Sequence, residues 1–293
     1  MLLCAPTEYL SKVFSVKEAV KILADAGYKA YDFSLCGKLN PRELSDMEDY
    51  RERAAELRKY ADSLGIVCRQ SHAHFPSSVG VDETDKEIFN QIIRDMETAS
   101  ILGAEIIVVH PKQHLTYAEH IEELFEMNVE FYKSLIPYCE KFGIKVAMEN
   151  MFQWNRSANC AYDSTCSRAW EFCKYMDAVD SEWIVGLLDV GHTALVDANL
   201  TEFIHALGNK RLKALHIHDN DRKSDFHTLP FTQKLDFDAI TTDLAAIGYQ
   251  GDFTYEADNF LTGFPKELLP DAVAFMCKVG NYLVKEIQRK RKQ

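Results

Sequence analysis

The sequence predicts an α/β fold, a single (β/α)8 barrel. Short apolar runs alternate with amphipathic helical segments along the whole chain, eight such runs can be read, and glycines fall where each of several helices should stop ahead of the next run.

The candidate strands, in order, span residues 2–6 (Leu2–Pro6), 30–34 (Ala30–Ser34), 66–72 (Ile66–His72), 105–110 (Glu105–His110), 145–150 (Lys145–Asn150), 184–189 (Ile184–Asp189), 212–218 (Leu212–His218) and 252–256 (Asp252–Glu256). Several are continuous apolar stretches, such as Ile106-Ile107-Val108-Val109, which fit parallel strands buried on both faces. Capping boxes, a Ser or Thr followed three residues later by Glu, predict helix starts at Ser15/Glu18, Ser45/Glu48, Thr84/Glu87 and Thr116/Glu119. Gly27, Gly65, Gly103, Gly143 and Gly248 stand at the helix ends. The last helix is expected over 266–290, with Arg289-Lys290-Arg291-Lys292 favourably placed at its negative end. This repeat leaves no room for a linker, so residues 1–293 read as one domain, and barrels of ~250 residues are ordinary. A doubly wound sheet is the alternative. Eight strands disfavour it, and Gly37 in Leu35-Cys36-Gly37-Lys38 is no dinucleotide fingerprint.

Composition narrows the partners. Forty-five acidic against 33 basic residues give a formal net charge of −12, which opposes nucleic acid as a partner because phosphate neutralisation needs clustered Lys and Arg. The eight cysteines form no CxxC pair, and Cys160, Cys166 and Cys173 are spaced too loosely for a zinc knuckle. No run approaches the ~20 apolar residues of a membrane span. The start has no basic n-region or long apolar segment. These features fit a cytoplasmic protein with reduced thiols and no membrane partner, compatible with a homo-oligomer.

Barrel strands should be apolar, yet six consecutive strands end on His or a carboxylate: His72, His110, Glu149, Asp189, His216 and Glu256. The intervals are 38, 39, 40, 27 and 40 residues, about one βα unit each. All six therefore reach the C-terminal end of the barrel, where barrel enzymes carry their chemistry. Three converging carboxylates, Glu149, Asp189 and Glu256, would repel unless a cation neutralised them. With His216 they form a mixed O/N set suited to one divalent ion, Mn²⁺, Mg²⁺, Co²⁺ or Zn²⁺.

Two segments carry a resemblance: Gly186-Leu187-Leu188-Asp189-Val190-Gly191-His192, and His216-Ile217-His218-Asp219-Asn220-Asp221-Arg222 continuing to Asp225-Phe226-His227. With them the chain, from Ile66-Val67 to Tyr255-Glu256, resembles the xylose isomerase-like barrel superfamily of sugar isomerases, epimerases and endonuclease IV. The resemblance implies a mononuclear epimerase site on Glu149, Asp189, His216 and Glu256. In the trinuclear DNA-repair branch, additional metal ions would take His72, His110, His192, Asp225 and His227. Two features separate the branches. The repair branch has a glycine-containing stretch after its strand-5 Glu, whereas this chain reads Asn150-Met151-Phe152-Gln153-Trp154, and its DNA groove needs a positive field that −12 does not supply.

The implied chemistry is proton transfer beside a carbonyl. A metal that chelates the carbonyl and a neighbouring hydroxyl stabilises the enediolate, and a nearby carboxylate acts as base. Glu149 and Glu256 are the candidate catalytic residues. One removing the proton and the other returning it to the opposite face gives epimerisation, the route the resemblance favours; one group shuttling it between carbons gives isomerisation. A lyase acting on a 3-keto sugar is the alternative on the same scaffold. His72, His110 and His227 line the substrate or bind further metal. His192 hydrogen-bonds a substrate oxygen or packs behind the site. Phe152 and Trp154 wall a sugar ring or cover a loop. Arg222 orients the substrate or pairs with Asp219 or Asp225. His74 and His218 satisfy neighbouring backbone groups, and His114, His120 and His205 are ordinary helix or loop residues. The loop 219–225 is acidic and lacks glycine, so the expected partner is a free sugar, keto-sugar or cyclitol rather than a sugar phosphate.

Overall fold

The computed structural model describes residues 1–35 and 44–292; Gly37 lies outside them. The strands are β1 (Leu3–Pro6), β2 (Ala30–Ser34), β3 (Val67–His72), β4 (Ile106–Val108), β5 (Lys145–Glu149), β6 (Phe152–Asn155), β7 (Cys160–Asp163), β8 (Ile184–Asp189), β9 (Leu212–His216) and β10 (Phe253–Thr254). The helices are α1 (Glu8–Val13), α2 (Val16–Asp25), α3 (Tyr50–Ser63), α4 (Asp82–Leu102), α5 (Ile121–Phe142), α6 (Ala169–Val179), α7 (Val190–Leu195), α8 (Leu200–Arg211, interrupted at Gly208), α9 (Phe237–Ala246) and α10 (Leu269–Lys290).

Eight strands pair in the order β10-β1-β2-β3-β4-β5-β8-β9, every pair parallel. The circle closes just past β9 and β10, where Ile217 N–H donates to Thr254 O (2.9 Å) and Glu256 N–H donates to Ile217 O (3.1 Å). The predicted (β/α)8 barrel is thus observed, and closure occurs at the strand ends that carry His216 and Glu256.

The strand period explains how one sequence buries a core and builds a polar mouth. Val108, Ala147, Val185, Leu187 and Ala214 form a small apolar cluster separate from the larger core beneath the helices. Successive side chains alternate between the two faces of a strand. Residues two further along β5, β8 and β9 therefore share the face of Ala147, Leu187 and Ala214; they are Glu149, Asp189 and His216. The intervening Met148, Leu188 and Leu215 belong to the larger core.

The five predicted glycine stops all have positive φ, the left-handed backbone that favours glycine at a helix end. The helix starts need correction. Ser15 and Glu18 form a reciprocal capping box. Ser45 instead sits in a 3₁₀ turn (Leu44–Asp46), and α3 begins at Tyr50 after Asp49. Thr84 is already inside α4, where the Asp85 carboxylate takes the Val79 N–H at 2.6 Å. Thr116 precedes a 3₁₀ turn (Tyr117–Glu119) without a side-chain cap, and α5 starts at Ile121. The final helix is a 3₁₀ turn (Lys266–Leu268) followed by α10, with a proline in its first turn. That proline lacks an N–H and suits a helix start rather than an interior. The β6–β7 hairpin was not anticipated. Its bend is organised by Asn155 Oδ1, which accepts the N–H groups of Ser157 and Ala158.

These helix starts predict a contrast in stability. Ser15→Ala should cost about 1 kcal/mol, whereas exposed Thr84→Ala should stay within about 0.5 kcal/mol of wild type, both measured by urea unfolding.

Candidate metal centre at the barrel mouth

Glu149 ends β5, Asp189 ends β8, His216 ends β9, and Glu256 follows β10. One donor atom from each lies within 4.8 Å of the others. His216 Nδ1 is the hub: it stands 3.1 Å from Glu149 Oε1, 3.2 Å from Glu256 Oε2 and 3.9 Å from Asp189 Oδ2. Glu149, Asp189 and His216 are buried.

Burial raises the Glu149 pKa, but His216 and His110 outweigh it and hold the carboxyl well below its usual range. Burial likewise raises Glu256, while His216 and His227 hold it low. His216 shows the reverse: burial lowers it, and Glu256 and Glu149 lift it well above an ordinary imidazole. These directions express one demand, for positive charge at the centre of the quartet. Glu149 Oε2 and Glu256 Oε2 are also buried without an aligned hydrogen-bond donor among the described residues, although His110 Nε2 and His216 Nδ1 stand 3.1 and 3.2 Å away. A divalent cation fits this set: it supplies the charge and uses lone pairs that no donor occupies.

Three further donor groups among the described residues adjoin the quartet, one of them His218 with His227 and Glu256. His72 and His110 approach Glu149 from the end of β3 and from two residues beyond β4, with His72 Nε2 3.1 Å from His110 Nε2. Burial lowers the His110 pKa, outweighing Glu149, and so favours the neutral ring a metal ligand requires. On the other side His192, Asp225 and His227 gather, with His227 Nε2 2.8 Å from Asp225 Oδ2. Burial lowers His227, but Glu256 and Asp225 push it up to about 9.

Above these groups lies a cavity of about 410 Å³. His72, His110, His192 and His227 all line it. Trp154 and Arg222 do not line it, which corrects the placement expected for them. Phe152, at the base of the β6–β7 hairpin, lines the cavity and its ring meets His192 edge-on at 4.9 Å, whereas Trp154, nearer the hairpin tip, is exposed. Arg222 bonds to Asp197 at 2.9 Å rather than to Asp219 or Asp225, and it lines a separate cavity of about 380 Å³. His74 pairs with the Asp95 carboxylate at 2.8 Å, beyond the backbone partners expected of it.

Sequence reasoning missed three contributors. His218, also expected to serve backbone groups, contacts Asp189. Phe75 lines the cavity and stacks on His110 at 4.9 Å. Asp32 on β2 is buried, bonded to Gln70 at 2.9 Å and 4.0 Å from His216 Nε2. A carboxylate inside the apolar run Ala30-Tyr31-Asp32-Phe33 was the available signal for Asp32.

Solved structures share this architecture. A D-tagatose 3-epimerase-like protein superposes with a TM-score of 0.78 at 20% identity, covering 99% of both chains. A D-psicose 3-epimerase solved in the presence of D-fructose gives 0.76 at 13% identity, covering 97% of this chain and 99% of that one. An IOLI protein with a bound zinc atom gives 0.75 at 18% identity, covering 97% and 98%. Identities this low speak for the fold alone. The family assignment comes from sequence: the model of the xylose isomerase-like TIM barrel family matches residues 20–279, and the chain belongs to that family.

Proposed function

We propose that this chain, as one barrel domain over residues 1–293, is a divalent-metal-dependent sugar epimerase or isomerase acting on a free sugar, keto-sugar or cyclitol. The observation that carries the reading is the convergence of Glu149, Asp189 and Glu256 on His216 Nδ1. The epimerase neighbours and the zinc-bearing neighbour agree with it.

A bound Mn²⁺, Zn²⁺, Mg²⁺ or Co²⁺ would supply Lewis-acid polarisation of the carbonyl and hydroxyl beside the exchanging carbon. Glu149 and Glu256 then act as the proton-transfer pair, one taking the C–H proton and the other returning one to the opposite face. They enter from β5 and from beyond β10, strands separated around the barrel, which suits attack from two sides. His72, His110, His192 and His227 surround the substrate with ring nitrogens, and Phe152 offers it an apolar wall. Lys12 is the one Lys or Arg among the described cavity-lining residues, and Glu8 neutralises it at 2.6 Å. Such a cavity favours an uncharged polyol over a phosphorylated one. A keto-sugar lyase remains the alternative chemistry on the same residues.

A second reading rests on the flanking donor groups. His72, His110 and Glu149, with His192, Asp225 and His227 opposite, offer ligands for additional metal ions, as an endonuclease IV-like enzyme would require. Metal counting together with an assay on abasic duplex DNA distinguishes it; chelator-sensitive cleavage at full turnover would replace the sugar reading.

Incubating candidate sugars with the metal-loaded protein in heavy water tests the primary reading. Deuterium should enter an otherwise intact sugar, whereas consumption of the sugar marks elimination. Glu149→Gln and Glu256→Gln should each lower turnover by at least ~10²-fold; near-normal C–H exchange in both would remove them from the proton-transfer role. His216→Ala should abolish stoichiometric metal by elemental analysis, and full occupancy would mean the ligand set is different.

A further inference from the structure

Asp189 is gripped from two directions. As N-cap of α7, its Oδ1 accepts the His192 backbone N–H at 2.6 Å. From β9's continuation, His218 Nε2 lies 3.1 Å from both Oδ1 and Oδ2. His218 is fully buried, and its Nδ1 has no hydrogen-bond partner among the described residues. A neutral ring with its proton on Nε2 satisfies this geometry, because the donor then meets a carboxylate and only a lone pair is left unpaired.

Gly191 makes the contact sterically possible. Its φ is not in the left-handed region, so backbone conformation does not call for glycine there. A Cβ on Gly191 would instead fall on the His218 ring. The backbone is held in place, since Asn220 Nδ2 donates to Gly191 O at 3.1 Å.

We propose that His218 is a positioning residue for the metal centre: its Nε2–H fixes the Asp189 carboxylate in the orientation that presents it to the cation, and the missing side chain of Gly191 leaves the space its ring occupies. This rests on the metal-centre reading above. Hydrogen-bond partners of metal ligands set ligand orientation, and their loss typically weakens metal binding by ~10–100-fold.

The test measures Mn²⁺ affinity of the full chain by chelator competition, alongside thermal unfolding of the metal-free protein. His218→Ala should weaken Mn²⁺ binding by ~10–100-fold while keeping full stoichiometry at saturation. His218→Gln, whose amide N–H reaches about as far as imidazole Nε2, should restore most of the affinity. Gly191→Ala should weaken binding in the wild-type background yet add nothing in His218→Ala, because the ring it displaces is already gone. Unchanged affinity in His218→Ala, or a lower metal-free Tm with unchanged affinity, would reduce His218 to packing and overturn the proposal. Lost stoichiometry at saturating Mn²⁺ would make it a ligand, which also overturns it. Wild-type protein that takes up no Mn²⁺ would sink the metal-centre reading itself, a result separate from wild-type binding with indifferent variants.

Discussion

The mouth of this barrel depends on charge compensation. Glu149 and Asp189 are withdrawn from water, and Glu256 is close enough to share their donor geometry. Buried carboxylates at such distances repel and lose hydration, so their ionised forms persist only with positive charge among them. The imidazoles of His216 and His227 answer part of that demand. A divalent ion would answer it more fully and release the imidazoles to serve as neutral ligands.

The fold supplies this arrangement through a strictly local rule. Alternation along β5, β8 and β9 puts Ala147, Leu187 and Ala214 inside the barrel and, two residues later, Glu149, Asp189 and His216. The apolar layer fixes the height of the polar one. Closure through Ile217 and Thr254 then brings Glu256 beside His216. Glu149, Asp189 and His216 end strands and Glu256 follows β10 by two residues, so stability and chemistry share the same end of the sheet.

Departures from expectation have local causes. The box of Ser15 and Glu18 formed because both groups meet a real helix start. The pattern at Thr84 and Glu87 falls inside a helix already begun, and spacing alone does not register that. Phe152 and Trp154 are two residues apart in sequence, yet the first stands at the base of the hairpin beside the cavity and the second nearer its tip in solvent. Arg222 found a nearer carboxylate in Asp197, which lies 25 residues away along the chain.

By itself the sequence determined the barrel, its eight strands, the glycine helix stops and the polar residues at strand ends, because these follow from periodicity and backbone preference within single βα units. Only the tertiary structure decided which ring nitrogen faces which oxygen, that His218 braces Asp189 over Gly191, and that Asp32 stands behind His216. Those relations join residues from different strands, and their distances exist only once the sheet has curled and closed.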